Sequence, residues 1–248
     1  MPRTEHTPGL VVQNLSCTPH LSDFKVIAFD MDSTLINIEC VDEIADAAGR
    51  RAEVAAITEA TMRGEIADFK ESLRRRVALL RGVTVADLEA VYRQRLQLNP
   101  GATELVGACK VAGLKVLLVS GGFTYFADRV KDRLDIDFAR ANVLEIDGEK
   151  LTGRMLDQPW GDICDGAEKR RTLLEVASLM GIRPAQCIAV GDGANDLPMM
   201  GVAGLSVAFH AKPRVREQAQ VSIETGGLDR LLEVFKSGLS VVPPMFGG

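Results

Sequence analysis

The sequence predicts an α/β protein with a doubly wound parallel sheet and a helical segment inserted after the first core strand. From residue 102 onward, short apolar runs alternate with helical periods, which is typical of strands joined by crossover helices. Residues 38–97 contain helical periods and few strand signals. We therefore divide the 248 residues into an N-terminal arm (1–22), a core (23–37 and 98–248) and a helical cap (38–97).

The arm is polar and rich in Pro and Thr, and the short run Leu10–Val12 is its candidate strand for pairing with the core. The first core strand is the apolar run Val26–Phe29, which has the length and β-branched content of a buried strand. Glycines separate the periods that follow, and Asn99-Pro100-Gly101 closes the segment. The periods predict four cap helices, at about 40–48, 51–63, 67–81 and 84–97.

The second half of the chain alternates between the two kinds of element. Asp147-Gly148 marks a turn between short β segments. We predict helices at 104–112, after 122, and at 167–180, 196–200, 213–218 and 228–235, with strands at 114–119, within 139–154, and at 187–190, 205–208 and 221–223.

Composition narrows the classes of function. The net charge is −5 and the pI about 5.4, so the chain lacks the basic surface expected of a nucleic-acid-binding protein. The longest nearly apolar stretch, residues 197–209, is too short to span a bilayer, and we find no secretory signal. Five scattered cysteines without a C-x-x-C pair indicate reduced thiols and a cytoplasmic location, and three distant histidines do not indicate a zinc site. The sequence does not indicate an oligomeric state.

Three predicted strands end in polar loops: Asp30-Met31-Asp32, Ser120-Gly121-Gly122 and the segment from Gly191 to Asp196. Parallel strands bring their carboxyl ends to one edge of a sheet, where ligands bind. Asp30, Asp32 and Asp192 supply the hard oxygens that suit Mg²⁺, and a Ser-Gly-Gly segment that opens a helix offers a hydroxyl and free N–H groups to an anion. Taken alone, Asp30-x-Asp32 is equally well interpreted as a turn with two solvated acids. The three loops together indicate phosphoryl transfer.

A cation is expected beside such an anion, and the cluster Glu168–Arg171 offers Lys169, Arg170 and Arg171. The sequence alone does not distinguish among them, since a basic cluster at a helix start is commonly solvated. Other phosphate-binding motifs are absent: there is no P-loop, the Gly191-x-Gly193 run lacks a third glycine, and Asp30-x-Asp32 does not continue as an EF-hand.

These residues match, in order, the four motifs of the haloacid dehalogenase-like phosphatase superfamily, and the resemblance covers residues 24–236. Within the superfamily the chain resembles the branch that hydrolyses O-phospho-L-serine in the last step of bacterial serine biosynthesis. That closer resemblance rests on Glu39 downstream of the first motif, on the cap run Ser72–Val77, and on Phe123 after the second motif. The four motifs are Asp30-Met31-Asp32-Ser33-Thr34, Ser120-Gly121-Gly122, Lys169, and Gly191-Asp192-Gly193-x-Asn195-Asp196.

The resemblance implies a Rossmann-like hydrolase core and a role for each motif residue. Asp30 is the expected nucleophile, which forms an aspartyl-phosphate, and Asp32 the expected general acid and base. Mg²⁺ is expected on Asp30, on the backbone carbonyl of Asp32 and on Asp192. The other implied roles are phosphate binding by Ser120, Gly121, Lys169 and Asn195, support by Asp196, binding of the substrate ammonium by Glu39, and apolar pocket walls from Met62 and Phe69.

The helical period provides one independent test in the cap. Arg76 falls at the edge of an apolar stripe, whereas Arg74 and Arg75 point away from it. An arginine on a buried face requires an anion, and a substrate carboxylate offers two oxygens; an intramolecular salt bridge is the alternative. Glu39 lies opposite the apolar face of residues 41–48, so the helical period of that segment would make it solvated. The stripe consists of Phe69, Leu73, Val77 and Leu80.

The sequence therefore predicts a Mg²⁺-dependent phosphomonoesterase that acts on a small molecule, O-phospho-L-serine. Two alternatives stay open. The first is a phosphatase or phosphotransferase for another small phosphomonoester, such as phosphohomoserine or phosphothreonine. The second is a sensor that binds a phosphorylated ligand without catalysis, although a pure binder would not need both Asp30 and Asp32.

Overall fold

The computed structural model describes residues 4–15, 17–63, 65–66 and 68–236. Within these residues the strands form one nine-stranded sheet in the order β1-β2-β9-β8-β7-β3-β4-β5-β6. The six strands from β9 to β5 are mutually parallel, and antiparallel strands occupy both edges. The strands are β1 Thr4–Thr7, β2 Leu10–Val12, β3 Val26–Phe29, β4 Lys115–Phe123, β5 Phe138–Asp147, β6 Lys150–Leu156, β7 Cys187–Gly191, β8 Leu205–Phe209 and β9 Val221–Ile223.

Both faces of the sheet are covered by helices, because the central strand is apolar on both sides. Ile27 and Phe29 of β3 belong to one hydrophobic cluster, whereas Val26 and Ala28 belong to a second cluster on the opposite face. The helices of the core are α5 Ala102–Val111, α6 Thr124–Leu134, α7 Gly166–Leu179, α8 Leu197–Met200 and α9 Pro213–Gln218. This arrangement confirms the predicted fold class.

The direction of the strand order reverses at β3. This strand lies between β4 and β7, and the chain continues outward through β5 on one side and through β8 and β9 on the other. The crevice above such a reversal point is where parallel α/β sheets bind ligands. The loops after β3 and β7 and the Ser120–Gly122 segment of β4 meet there, so the three polar segments share one edge, as the sequence predicted.

A helical segment lies between β3 and β4. Its two ends are paired, because Ile36 and Leu98 form an antiparallel bridge and the side-chain amide of Asn99 donates to the carbonyls of Thr34 and Ile36 at 2.8 and 3.0 Å. Two ion pairs join this segment to Asp162, from Lys70 and Arg74 at 2.8 and 2.5 Å. The helices are α1 Cys40–Ala47, α2 Arg51–Met62, α3 Phe69–Ala78 and α4 Val85–Gln94. The division of the chain into arm, core and cap stays a prediction.

Several elements differ from the sequence-based expectation. Leu10–Val12 pairs with β9 as considered, but an additional strand, Thr4–Thr7, completes a hairpin. Strand β4 runs through Ser120-Gly121-Gly122, so this segment does not open a helix as predicted. The chain bulges out at these residues, pairs again with β5 at Phe123, and begins α6 only at Thr124. The C-terminal helix, Leu228–Val234, is a 3₁₀ helix.

Among the described residues, no helix combines the length and the apolarity that crossing a bilayer requires. All five cysteines are free thiols, and only Cys17 is exposed.

Candidate active site

The predicted nucleophile lies directly after β3, at the edge of the sheet. The backbone N–H of Asp30 donates to the carbonyl of Val190 at 3.0 Å, which continues the pairing of β3 with β7. The side chain is buried, and its Oδ1 accepts a hydrogen bond from Lys169 Nζ at 2.5 Å. Asp30 is therefore fixed at its backbone and at one oxygen, and Oδ2 is the oxygen left for a reaction.

The cation beside Asp30 comes from α7. Lys169 is 0% exposed, whereas Arg170 and Arg171 are exposed. Its Nζ also donates to Oδ1 of Asp196 at 2.7 Å. The structure therefore selects Lys169 from the three basic residues among which the sequence could not choose.

Asp196 is fully buried and supports both the lysine and the loop after β7. Its Oδ2 accepts the backbone N–H groups of Asp192 and Gly193 at 3.1 and 3.0 Å. A methyl group on Gly191 would lie 2.3 Å from the carboxyl group of Asp196, so the loop requires glycine at this position. Asp196 thus fixes the backbone from which the Asp192 side chain extends.

The electrostatics of this cluster favour cations. Burial raises the pKa of Asp30 well above the usual carboxyl value, and the charges of Asp196 and Asp192 raise it further, while Lys169 lowers it. Burial opposes the charge on Lys169, but the two carboxylates that it contacts outweigh burial and raise its pKa above the usual lysine value. Lys169 therefore stays protonated, and one internal cation does not balance the acids around it.

Asp32 is held by the first residue of α1. Its Oδ2 accepts the backbone N–H of Cys40, and its Oδ1 accepts the Cys40 thiol, both at 3.0 Å. Burial, followed by the negative charge of Glu39, raises the pKa of Asp32 to about 7, although the hydrogen bonds from Cys40 lower it. A carboxyl group with a pKa near neutrality can both donate and accept a proton at physiological pH.

The same edge has the donors that a divalent cation needs. Asp30, Asp192 and Asp196 each provide an oxygen within 4.8 Å of the others. Burial, followed by the negative charges of Asp196 and Glu39, raises the pKa of Asp192 to about 7. Both oxygens of Asp196 accept hydrogen bonds, whereas Asp30 and Asp192 accept side-chain hydrogen bonds at Oδ1 only, from Lys169 and from Thr34, so each keeps an oxygen for a cation. This hard-oxygen set fits the predicted Mg²⁺.

The bulge of β4 supplies the candidate phosphate-binding groups. Ser120 is completely buried, and its Oγ accepts the backbone N–H of Gly122 at 2.8 Å. A methyl group would lie 3.2 Å from Phe69 Cζ if added to Gly121, and 2.9 Å from Met31 Cε if added to Gly122. The glycines therefore allow the bulge to pack closely against both the core and the cap.

A cavity of about 570 Å³ separates the sheet edge from the helical segment. The core side of its lining includes the acids after β3 and β7 and the β4 bulge, and the opposite side comes from α1, α2 and α3. Its lining residues include Asp30, Asp32, Ser120, Gly121, Asp192 and Asn195 on one side, and Glu39, Asp42, Thr58, Thr61, Phe69 and Arg76 on the other.

Two polar atoms at the cap end of this cavity lack partners. Within the described residues, Arg76 Nε and Asp42 Oδ1 are buried without any hydrogen bond. Burial lowers the pKa of Arg76, whereas the charge of Asp42 raises it. Arg74 and Arg75 are exposed and form ion pairs at the surface. Arg76 is therefore the cap arginine available to a ligand, and no intramolecular salt bridge holds it in the described part of the chain.

The remaining predicted residues lie as follows. Glu39 is exposed, lines the cavity, and accepts a hydrogen bond from Ser33 Oγ at 2.7 Å. Asn195 is half-buried beside the core acids. The side chain of Met62 lies outside the described residues.

Comparison with known proteins identifies the family. A family model described as haloacid dehalogenase-like hydrolase matches residues 24–204. The chain belongs to the haloacid dehalogenase-like hydrolases. This membership confirms the resemblance drawn from the four motifs.

Relatives of this hydrolase carry a more specific name. A phosphoserine phosphatase from a Polaromonas species is 72% identical over 236 residues, which cover 95% of this chain and 100% of the relative. A phosphoserine phosphatase from Archaeoglobus fulgidus is 49% identical over 86% of this chain and 60% of its own length. A solved structure described as a phospho-aspartyl intermediate analogue of phosphoserine phosphatase has a TM-score of 0.78 and 39% identity, and covers 86% of this chain and 99% of that one.

Three further side chains of this haloacid dehalogenase-like hydrolase contact or line the site and were not predicted from the sequence. Cys40 contacts Asp32, Asp42 lines the cavity, and Asn142 contacts the β4 bulge. Only Asn142 had a usable sequence signal, because asparagine is disfavoured in strands and this one lies within a predicted β segment.

Proposed function

We propose that this haloacid dehalogenase-like hydrolase is a Mg²⁺-dependent phosphoserine phosphatase, which converts O-phospho-L-serine and water to L-serine and phosphate. The observation that carries the proposal is the cavity with two different ends. One end has Asp30, with Lys169 behind it, and the β4 bulge, which together suit a phosphoryl group; the other has Arg76 with its unpartnered Nε, which suits a carboxylate. The names of the 72% and 71% identical relatives support the same substrate.

In the first step, Oδ2 of Asp30 attacks phosphorus, and the bond between phosphorus and the serine oxygen breaks. Asp30 needs no base, because an ionised carboxylate is already nucleophilic, and Lys169 at its Oδ1 stabilises the ionised form against the effect of burial. Asp32 donates its proton to the departing serine oxygen, as its pKa of about 7 allows. The product is an aspartyl-phosphate and neutral serine hydroxyl.

In the second step, Asp32, now ionised, takes a proton from a water molecule that attacks the phosphorus. The bond between phosphorus and Asp30 breaks, and phosphate leaves. The Ser120 hydroxyl and the Gly121 N–H would hold the phosphoryl oxygens, and Asn195 would add a contact. Bound Mg²⁺, on Asp30, Asp192 and the carbonyl of Asp32, would offset the charge of the phosphoryl oxygens.

The cap end of the cavity would read the amino acid part of the substrate. The guanidinium of Arg76 matches a carboxylate with two parallel hydrogen bonds. Glu39 would accept the substrate ammonium, and Phe69, which packs over Gly121, would exclude water above the phosphoryl group. We further propose a cytoplasmic location and neither nucleic-acid nor membrane partners.

The decisive experiment is phosphate release from a panel of small phosphomonoesters with Mg²⁺ and with EDTA. We expect the highest kcat/KM for phosphoserine over phosphothreonine, phosphohomoserine and sugar phosphates, and no turnover with EDTA. A higher value for another ester would replace the substrate, and phosphoryl products formed with added alcohols would indicate a phosphotransferase.

The Asp30→Asn variant separates catalysis from binding. It removes the nucleophile but keeps the size of the side chain, so we expect a folded protein without phosphate release. Wild-type turnover in this variant would refute the aspartyl-phosphate mechanism.

A further inference from the structure

A buried amide lies behind the β4 bulge and takes no part in the mechanism above. Asn142 of β5 is 1% exposed. Its Nδ2 donates to the carbonyl of Gly121, and its Oδ1 accepts the backbone N–H of Cys164, both at 2.8 Å. Both of these partners are backbone groups, so the Asn142 side chain joins the backbone of the β4 bulge to the backbone of the segment before α7.

The bulge explains why a side chain is needed there. Val119 of β4 pairs with Arg140, and the next pair along the ladder is Phe123 with Asn142, so three residues of β4 lie opposite one residue of β5. The residues between lose their regular partners on β5. The Asn142 amide donates to the carbonyl of Gly121 and so replaces the backbone hydrogen bond that a regular ladder would provide.

This hydrogen bond continues to the predicted phosphate ligand. The Gly121 carbonyl and the Gly122 N–H belong to one peptide group, and that N–H donates to Ser120 Oγ at 2.8 Å. Since Ser120 Oγ accepts a bond on this side, its own O–H remains available to donate elsewhere. A chain of two hydrogen bonds and one peptide plane thus runs from Asn142 to the Ser120 hydroxyl, and such chains strengthen each bond by polarisation.

The second bond of Asn142 reaches the segment before α7. Cys164 lies one residue before Asp165, which caps α7 by accepting the N–H of Glu168 at 2.8 Å. The carbonyl of Cys164 would lie 3.4 Å from a methyl group on Gly121, so this segment also packs on the bulge. Asn142 therefore fixes the bulge relative to the start of the helix that carries Lys169.

We propose that Asn142 is a positioning residue for phosphate binding, which orients the Ser120 hydroxyl through the Gly121–Gly122 peptide and holds the bulge against the start of α7. The inference rests on the proposed function in one respect, namely that Ser120 donates to the phosphoryl group.

The test is the dissociation constant of inorganic phosphate, measured by calorimetry with Mg²⁺ for the full chain and for Asn142→Ala. We expect phosphate to bind about tenfold more weakly to the variant, as the loss of a well-oriented buried hydrogen bond predicts. The matched control is Gln13→Ala, because Gln13 is a second buried amide that donates to backbone carbonyls, those of Arg216, Glu217 and Ala219, and it lies outside the cavity lining. The control should lose stability without losing phosphate affinity.

A double-mutant cycle with Ser120→Ala isolates the route of the effect. If Asn142 acts through Ser120, Asn142→Ala should weaken phosphate binding less than threefold once the hydroxyl is absent. Additive losses, or a loss no larger than that of the Gln13 control, would overturn the proposal. If Asn142→Ala fails to fold, Asn142→Leu keeps a similar side-chain volume without an amide and without a buried charge, and the same criteria apply.

These outcomes are distinct from a failure of the proposed function. Phosphate binding that depends on Asn142 in a protein inactive on phosphoserine would refute the substrate and keep the positioning role. A wild-type protein that does not bind phosphate would refute both.

Discussion

Replacing Arg76 tests whether the cap reads a carboxylate. In Arg76→Ala, the substrate loses two charge-assisted hydrogen bonds, each worth about 1.5 kcal/mol. Together they amount to about 3 kcal/mol, which corresponds to a loss of about 100-fold in kcat/KM for phosphoserine. An aryl phosphate lacks a carboxylate, so its kcat/KM should change less than about threefold.

The structure also predicts the effect on stability. The Nε of Arg76 is buried without a partner, and burial lowers the pKa of the guanidinium, so the free protein gains little from this charge. Arg76→Ala should therefore leave the unfolding midpoint unchanged or raise it, while activity falls. Such a trade-off is typical of residues kept for ligands rather than for folding.

The assay compares phosphate release from phosphoserine and p-nitrophenyl phosphate under identical Mg²⁺ conditions. Arg75→Ala is the matched control, because Arg75 lies on the same helix, is exposed and pairs with Glu71 at 2.7 Å. It should leave both activities within about twofold of the wild type, as surface pairs contribute little. Equal losses on the two substrates in Arg76→Ala would refute the carboxylate role.

Three further predictions concern the core. Lys169→Met should abolish phosphate release and lower the free energy of unfolding by about 3–5 kcal/mol, because Asp30 and Asp196 would be left buried without their cation. The control Arg170→Ala changes the exposed neighbour and should alter neither the rate of phosphate release nor the midpoint of urea denaturation. Gly204→Ala should destabilise the fold by more than about 2 kcal/mol, since a methyl group there would lie 1.9 Å from the Ala185 carbonyl oxygen, whereas Gly107→Ala, in an exposed helix position with open space, should stabilise it by about 0.5–1 kcal/mol. Burial raises the pKa values of Asp32 and Asp192 to about 7, above the value of about 3.9 in an unfolded chain. Between these two pH values the metal-free folded protein therefore binds more protons than the unfolded chain. Its free energy of unfolding should fall as the pH rises through this window. Mg²⁺ should accordingly raise the unfolding midpoint more at pH 8 than at pH 5, and an equal shift at both would contradict the assignment of the acids to the metal.

The strand ends were predictable from sequence because they depend on short-range pattern alone. The run Val26–Phe29 is apolar at every position, so only a strand buried on both faces accommodates it. The prediction that three loops meet at one edge follows from the parallel sheet. The choice of Lys169 was not predicted, because its position on the buried face of α7, four residues before Leu173 and seven before Val176, becomes decisive only once the structure shows which face of that helix is buried.

Other features depend on contacts that no local pattern encodes. Strand β4 resumes pairing at Phe123, opposite Asn142 of β5, so the start of α6 could not be predicted from the Ser-Gly-Gly segment. The raised pKa of Asp32 comes from burial and from Glu39, which reaches the site only after the chain reverses at Ser33, a residue with a positive φ of 56°. The orphaned oxygen of Asp42 is visible only once α1 is packed against α2 and α4.

The paired ends of the helical segment have a consequence for protein engineering. Ile36 bridges Leu98, and Asn99 binds the carbonyls on the entering side, so the segment leaves and rejoins the core at a single point. Exchanging it for a segment of different length would therefore cost little in chain entropy, because the core already holds the junction closed. Substrate choice, which we assign to Arg76, would then be exchangeable while Asp30 is kept, provided that residues 39 and 40 stay in place, because Cys40 holds Asp32 and Glu39 raises its pKa. A graft would need to keep a cation opposite Asp162.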